Sequence, residues 1–163
     1  MSATDELLTN AERYAESFEG GDLPLAPAKR VAVLACMDAR LNPYGLLGLS
    51  EGDAHVIRNA GGVVTDDEIR SLAISQRLLG TEEIILIHHT DCGMLTFRDD
   101  EFRRQLHEET GIKPGWAVET FDDLEEDVRQ SIGRIRSSPF IPNKDRIRGF
   151  VYDVKTGRLN EVV

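Results

Sequence analysis

The sequence predicts an α/β fold: a mainly parallel β-sheet flanked by helices, with an antiparallel strand at its C-terminal edge. Three observations carry this. Two short, continuous apolar runs, Val31-Ala32-Val33-Leu34-Ala35 and Ile84-Ile85-Leu86-Ile87, read as strands covered on both faces. Segments with helical spacing alternate with strands, the pattern of crossover connections between parallel strands. Near the C-terminus Phe150 and Tyr152 alternate with Val151 and Asp153 before a turn at Lys155-Thr156-Gly157-Arg158, which reads as a hairpin.

Taken in order, residues 5–18 form a helix, because Leu7, Leu8, Ala11, Tyr14, Ala15 and Phe18 recur on one face and Gly20-Gly21 ends the pattern. The first strand covers 31–35. Pro43 starts a short helix that Gly48 closes. A second strand covers 54–57 and leads into Arg58-Asn59-Ala60-Gly61-Gly62, where the paired glycines predict a tight turn or a close backbone approach to a ligand. Thr65-Asp66-Asp67-Glu68 is a capping box, opening a helix that Gly80 stops. The third strand is 84–88. Helices follow over 99–109 and through Phe121, Leu124, Val128, Ile132 and Ile135, the latter with acidic residues at its start and arginines at its end, as the helix dipole favours. Strands over 149–154 and 159–163 close the chain.

The 163 residues fit one domain spanning 1–163, with 1–22 as an N-terminal helical arm able to pack on its own subunit or on a second one. A formal net charge of -10 argues against nucleic acid or anionic membrane as partner. No apolar run approaches the roughly 20 residues that span a bilayer. The acidic start Met1-Ser2-Ala3-Thr4-Asp5-Glu6 lacks the basic and apolar regions of a signal peptide, so a cytoplasmic location is expected. In that setting the two cysteines are expected to be ligands or plain thiols rather than a disulfide.

Both cysteines lie at the ends of apolar runs. Cys36 follows the first strand, and the third runs into His89-Thr90-Asp91-Cys92-Gly93. In parallel sheets ligands bind beyond the carboxyl ends of the strands. Cys36, His89 and Cys92 together form a Cys₂His set, which leaves one position of a tetrahedral zinc site open, the pattern of a catalytic centre. His88 points to the opposite face if the strand continues. Asp38 is a candidate fourth ligand. Arg40 lies two residues further on and can hold Asp38 in a forked, charge-assisted pair. Zinc with two thiolates is formally neutral, so a nearby cation would help to acidify bound water. With Arg40 in place, Asp38 orients the hydroxide on zinc; released, it occupies the fourth position and closes the site. His55 and His107 have no metal partner nearby in sequence and read as ordinary, with His55 or an interface carboxylate a candidate proton shuttle. Asp91 reads as a loop residue or an outer-sphere partner, and the acidic cluster 122–127 as a solvated helix start.

Cys36-x-Asp38-x-Arg40, Arg58-Asn59-Ala60-Gly61 and His89-x-x-Cys92-Gly93, in this order and at these separations, resemble the signature of the β-class carbonic anhydrases, over roughly residues 28–155 and most closely in the compact prokaryotic branch. The resemblance implies one zinc ion per subunit on Cys36, His89 and Cys92, with Asp38 and Arg40 as the catalytic pair; Asp38 as a ligand in the closed form alone is the reading from its spacing to Arg40. It implies reversible hydration of carbon dioxide to bicarbonate and a proton by zinc-bound hydroxide. It also implies a homodimer or higher homo-oligomer. Ala39 stands where the family usually has serine, and the glutamine that plant-type members use near the substrate has no clear counterpart.

Three other readings stay open at this point. A thiol-based phosphatase or arsenate-reductase-like enzyme typically needs an arginine six positions after its cysteine, where this chain has Asn42. A non-catalytic protein would have Asp38 permanently completing a structural zinc site. A β-class relative hydrolysing carbonyl sulfide or carbon disulfide would share the zinc motif and differ in the shape of its pocket.

Overall fold

The computed structural model describes residues 2–163; Met1, the first residue of the expected arm, lies outside them. Helix α1 (Ala3–Glu16) begins with a reciprocal cap: the Asp5 backbone N–H donates to the Ser2 hydroxyl and the Ser2 N–H to the Asp5 carboxylate. That cap starts the helix two residues before the expected start at residue 5. No residue of α1 is buried, and Leu7, Leu8 and Tyr14 stand more than half exposed.

Strand β1 (Val31–Cys36) is followed by α2 (Pro43–Leu47), capped by Asn42 and closed by Gly48, and then by β2 (Ala54–Asn59). Helix α3 (Asp66–Arg77) has the expected Thr65–Glu68 box. β3 (Glu83–His89), α4 (Asp99–Thr110), α5 (Leu124–Ser137), β4 (Ile147–Tyr152) and β5 (Leu159–Val162) complete the chain. The sheet order is β2-β1-β3-β4-β5, parallel through the first four strands and antiparallel between β4 and β5.

Several boundaries differ from the periodicity. Phe121 precedes α5, because Asp123 caps the helix at Glu126; its ring packs against His88 instead. β4 starts and ends two residues earlier than expected, since the Asp153 carboxylate accepts the Lys155 and Thr156 N–H groups and turns the chain. β1 and β3 each run one residue further, so Cys36 and His89 are the last residues of their strands.

The two faces of the sheet are covered differently. On one, Ala32, Leu34, Ile84, Leu86 and Ile147 pack against Leu72 of α3 and Ile135 of α5. On the other, Val33, Ala35 and Ile87 pack against Leu41, Val63, Met94 and Phe121, which come from connections between the main elements. Cys36 and Cys92 belong to this second cluster. Successive strand residues face opposite sides, which divides the two sets. Gly149 on β4 lets α5 sit close, since a Cβ there would stand 2.3 Å from Val128 Cγ1.

Candidate metal centre

Three segments converge at the carboxyl edge of the sheet. β1 delivers Cys36, β3 delivers His89, and the turn after β3 brings Cys92 back beside them. Cys36 Sγ lies 4.0 Å from Cys92 Sγ and 3.2 Å from His89 Nε2. All three ligand atoms fall within 4.8 Å of one another, and all three residues are buried. Two sulfurs held 2.3 Å from one tetrahedral zinc ion stand about 3.8 Å apart, so the spacing fits that ion, as do the soft sulfur and imidazole donors.

The imidazole is oriented for the purpose. His89 Nδ1 donates to the Thr90 carbonyl at 2.8 Å, which leaves the Nε2 lone pair facing the sulfurs. Burial pushes the His89 pKa down, but its contact with Cys36 and the Thr90 carbonyl outweigh this and raise it overall. In the metal-free pair one proton is shared out unequally. The hydrogen bond from Cys92, then His89 and the backbone N–H groups of Asp38 and Gly61, lower the Cys36 pKa against the effect of burial. The charge on Cys36, followed by burial, holds the Cys92 proton on.

Asp38 stands at the mouth of the site, with Oδ2 3.6 Å from His89 Nε2. Arg40 grips it with a fork: Nε donates to Oδ1 at 3.0 Å and Nη2 to Oδ2 at 2.8 Å, while the Arg40 backbone N–H donates to Oδ1 at 2.8 Å. The side-chain fork first and the backbone N–H second hold the Asp38 carboxyl well below the usual carboxylate range. Asp38 is thus paired with Arg40 in this structure.

Asp91 takes the other side of Arg40, through its carboxylate at 2.8 Å and its carbonyl at 2.9 Å. The reading of Asp91 as an outer partner agrees with this. His88 points away from the site, as alternation predicts, with Nε2 2.7 Å from Asp127 on α5. His55 is misplaced for a shuttle. It lies four residues before Asn59 on β2, about 13 Å along the strand, and its Nδ1 pairs with Ser75 of α3.

The sequence placed Arg58 and Gly62 in a motif without showing what either one meets. Arg58 reaches under the segment after β1 and bonds three of its carbonyls. Gly62, with φ +71, lies so close to the strand ends that a Cβ would stand 2.9 Å from both Cys36 N and Ile87 O. Gly62 thus serves a close approach to β1 and β3, whereas Gly61, with φ +88, faces Met94, Phe121 and Val63 and lines a pocket. A glycine doublet carries that signal in sequence without saying what is approached.

That pocket, of about 730 Å³, opens over Cys36 and Cys92. Met37, Val63, Met94, Phe97, Phe102 and Val118 give it largely apolar walls. A Cys₂His cluster with an open side, at the carboxyl edge of a parallel sheet and beneath an apolar pocket, defines an α/β protein with a centre built for a reactive metal ion.

The comparisons agree on which such protein family this is. A family model described as carbonic anhydrase matches residues 31–159. The chain is 62% identical over 162 residues to β-carbonic anhydrase 1 of Mycobacterium tuberculosis, covering 99% of each. It is 37% identical to a carbon disulfide hydrolase of Acidianus sp., covering 82% of this chain and 77% of that protein. The solved carbonic anhydrase of Streptococcus mutans superposes with a TM-score of 0.92 at 46% identity, covering 100% of this chain and 99% of that one. The chain belongs to the β-carbonic anhydrase family.

Proposed function

We propose that this protein is a zinc-dependent carbonic anhydrase that interconverts carbon dioxide and bicarbonate, with Cys36, His89 and Cys92 as zinc ligands and Asp38 and Arg40 as the catalytic pair. The observation that carries the reading is the convergence of the three ligand atoms within 4.8 Å beside a carboxylate that a guanidinium fork holds in place. Zinc, when bound, supplies the Lewis acidity that makes a water molecule nucleophilic near neutral pH.

The chain supplies the rest. Asp38 is ionised and can only accept. Oδ1 is occupied by two Arg40 donors, whereas Oδ2 takes one and keeps capacity on the side nearest His89. It therefore orients the O–H of an attacking water and can receive the hydroxyl of bicarbonate. The apolar walls suit an uncharged, apolar substrate and exclude competing water. Freed from Arg40, the Asp38 carboxylate is near enough to the ligand set to become a fourth ligand, the closed form.

The relatives named carbon disulfide hydrolase make carbon disulfide the natural competing substrate. Identity of 62% across nearly the whole chain to a protein named carbonic anhydrase, against 37%, favours carbon dioxide. A homodimer or larger homo-oligomer is supported by α1, whose apolar residues find no cover among the described residues; light scattering that finds an active monomer would refute it. We place the protein in the cytoplasm because its two cysteines are free thiols, the form that a reducing compartment maintains; among the described residues no helix is long and apolar enough to cross a membrane.

Stopped-flow hydration of carbon dioxide by zinc-loaded protein, scanned from neutral to alkaline pH, tests the assignment. Activity that rises with pH and is lost in Cys92→Ser is expected. Bound zinc with no carbon dioxide hydration but turnover of carbon disulfide would move the protein to the other branch. No turnover of either would make the zinc structural.

A further inference from the structure

The segment from Cys36 to Leu41 holds the first proposed ligand, Asp38 and Arg40 within six residues, yet it has no regular secondary structure beyond Cys36. Its backbone carbonyls point back toward β2, where a single side chain collects them. Arg58 Nε and Nη2 donate to the Cys36 carbonyl at 2.9 and 2.7 Å. Nη2 also donates to the carbonyls of Asp38 and Leu41, both at 2.8 Å. Among the described residues no carboxylate lies within ion-pair distance of Arg58. Its donors on that side are committed to neutral carbonyls.

We propose that Arg58 is a positioning residue: its planar fork ties the Cys36, Asp38 and Leu41 carbonyls to β2 and so fixes the Cys36 thiolate and the Asp38 carboxylate relative to each other.

Register explains why β2 can do this. Asn59 pairs with Cys36 and Arg58 with Ala35, so the Arg58 side chain starts level with the last residues of β1 and leans over the edge where the chain leaves the sheet. The Met37 N–H donates to the Asn59 carbonyl at 2.7 Å, one residue beyond the strand pairing, and Arg58 continues the attachment from there. One atom, Nη2, meets all three carbonyls, and Nε shares the Cys36 carbonyl, so the rigid guanidinium plane anchors Nη2 where the three converge. A lysine ammonium sits on a flexible stem without that second anchor. Arg58 touches neither a proposed ligand atom nor the proposed substrate position, so it acts through the backbone it holds.

The inference rests on the zinc reading for its functional consequence, but its structural half does not. Arg58→Lys and Arg58→Ala are compared with wild type in two measurements. The first is amide hydrogen exchange on metal-free protein. Both variants are expected to exchange the amides of residues 37–41 at least ten times faster, with the amides of β3 unchanged. The second is zinc affinity by competition with a chromophoric chelator. Both variants are expected to bind zinc about 10–100-fold more weakly, the usual cost of losing an outer-sphere support. Guanidinium ion is expected to restore part of the loss in Arg58→Ala, and ammonium ion is not.

Exchange and zinc affinity within twofold of wild type in both variants would overturn the proposal. So would full recovery in Arg58→Lys, which would make charge and not the fork the relevant property. If wild type binds no zinc the assigned function fails, and the exchange measurement alone decides whether Arg58 holds the segment. If Arg58→Ala does not fold, the lysine variant carries both measurements.

Discussion

Arg40 is bonded to Asp91 twice, through the carboxylate at 2.8 Å and through the backbone carbonyl at 2.9 Å, although the two residues lie 51 positions apart. Asp91 adopts the left-handed conformation, φ +55, which aspartate tolerates better than most residues and which brings both oxygens to the same guanidinium. Arg40 is thus gripped from the far side while it grips Asp38. Replacing Arg40 with alanine releases Asp38. We expect zinc to stay bound and kcat/KM to fall on the order of 10–100-fold, as for other lost outer-sphere partners. X-ray absorption should then show an added oxygen ligand. An Arg40→Ala enzyme of wild-type activity and unchanged coordination would refute the switch.

Asp91→Asn keeps a residue that accepts left-handed backbone and keeps the carbonyl contact, but removes the charge. The Asp38 fork is untouched. A loss smaller than that of Arg40→Ala is expected, with zinc content unchanged. Equal losses in the two variants would mean that Asp91, not Asp38, is the partner that matters to Arg40.

Zinc uptake must displace the proton that Cys92 keeps in the metal-free site. Cys36 is lowered and Cys92 raised by the same contact, so at neutral pH about one proton should leave from the thiol pair when zinc binds. His89, raised overall, adds to the release where it is protonated. The sign is fixed: these groups bind protons only without metal, so zinc affinity falls as pH falls and rises until Cys92 ionises unaided. Calorimetric titration in buffers of different ionisation enthalpy counts the protons. A count of zero at neutral pH would contradict the pairing of one thiolate with one thiol.

Gly62→Ala forces a methyl group to within 2.9 Å of the backbone at Cys36 and Ile87 and places alanine at φ +71. The left-handed conformation alone costs of order 1–3 kcal/mol, and the clash adds to it. Denaturant unfolding should show that loss, together with weaker zinc binding, since Cys36 N is one of the atoms displaced. A variant as stable as wild type would mean that the turn relaxes freely.

The pair of buried His88 and half-buried Asp127 gives a control without a direct contact to the proposed metal. Asp127→Ala leaves His88 Nε2 buried and unpaired, at a cost of about 1–3 kcal/mol, whereas Asp127→Asn retains an acceptor. Urea unfolding is expected to rank wild type above asparagine above alanine, with zinc affinity little changed.

The strands that carry Cys36 and His89 were legible because fully covered parallel strands leave uninterrupted apolar runs, and the residues that end those runs mark the ligand-binding edge. Asp38 and Arg40 were legible because a two-residue spacing is enough to pair them. The glycine doublet announced a close approach, but what Arg58 and Gly62 meet was not legible, because their partners are backbone atoms 17 to 26 positions away, and a backbone atom has no residue type to recognise. His55 misled for a related reason: histidine chemistry suggested a shuttle, but a residue near the start of a parallel strand is carried to the opposite edge of the sheet. Phe121 matched the helical period of α5 and yet precedes it, since the Asp123 cap outranks periodicity in deciding where a helix begins.

The unequal covering of the sheet sets different tolerances on its two sides. Behind it, α3 and α5 bury Leu72 and Ile135 against three strands, and a substitution there is felt by the whole frame. In front, the pocket wall comes from connections such as those carrying Met94 and Val118, which can change length or residue without moving a strand. A lineage built this way can reshape what enters the pocket while inheriting the three ligands unaltered. Substrate choice is then the part of the molecule most open to drift, and the sulfur and imidazole cluster the part most firmly kept.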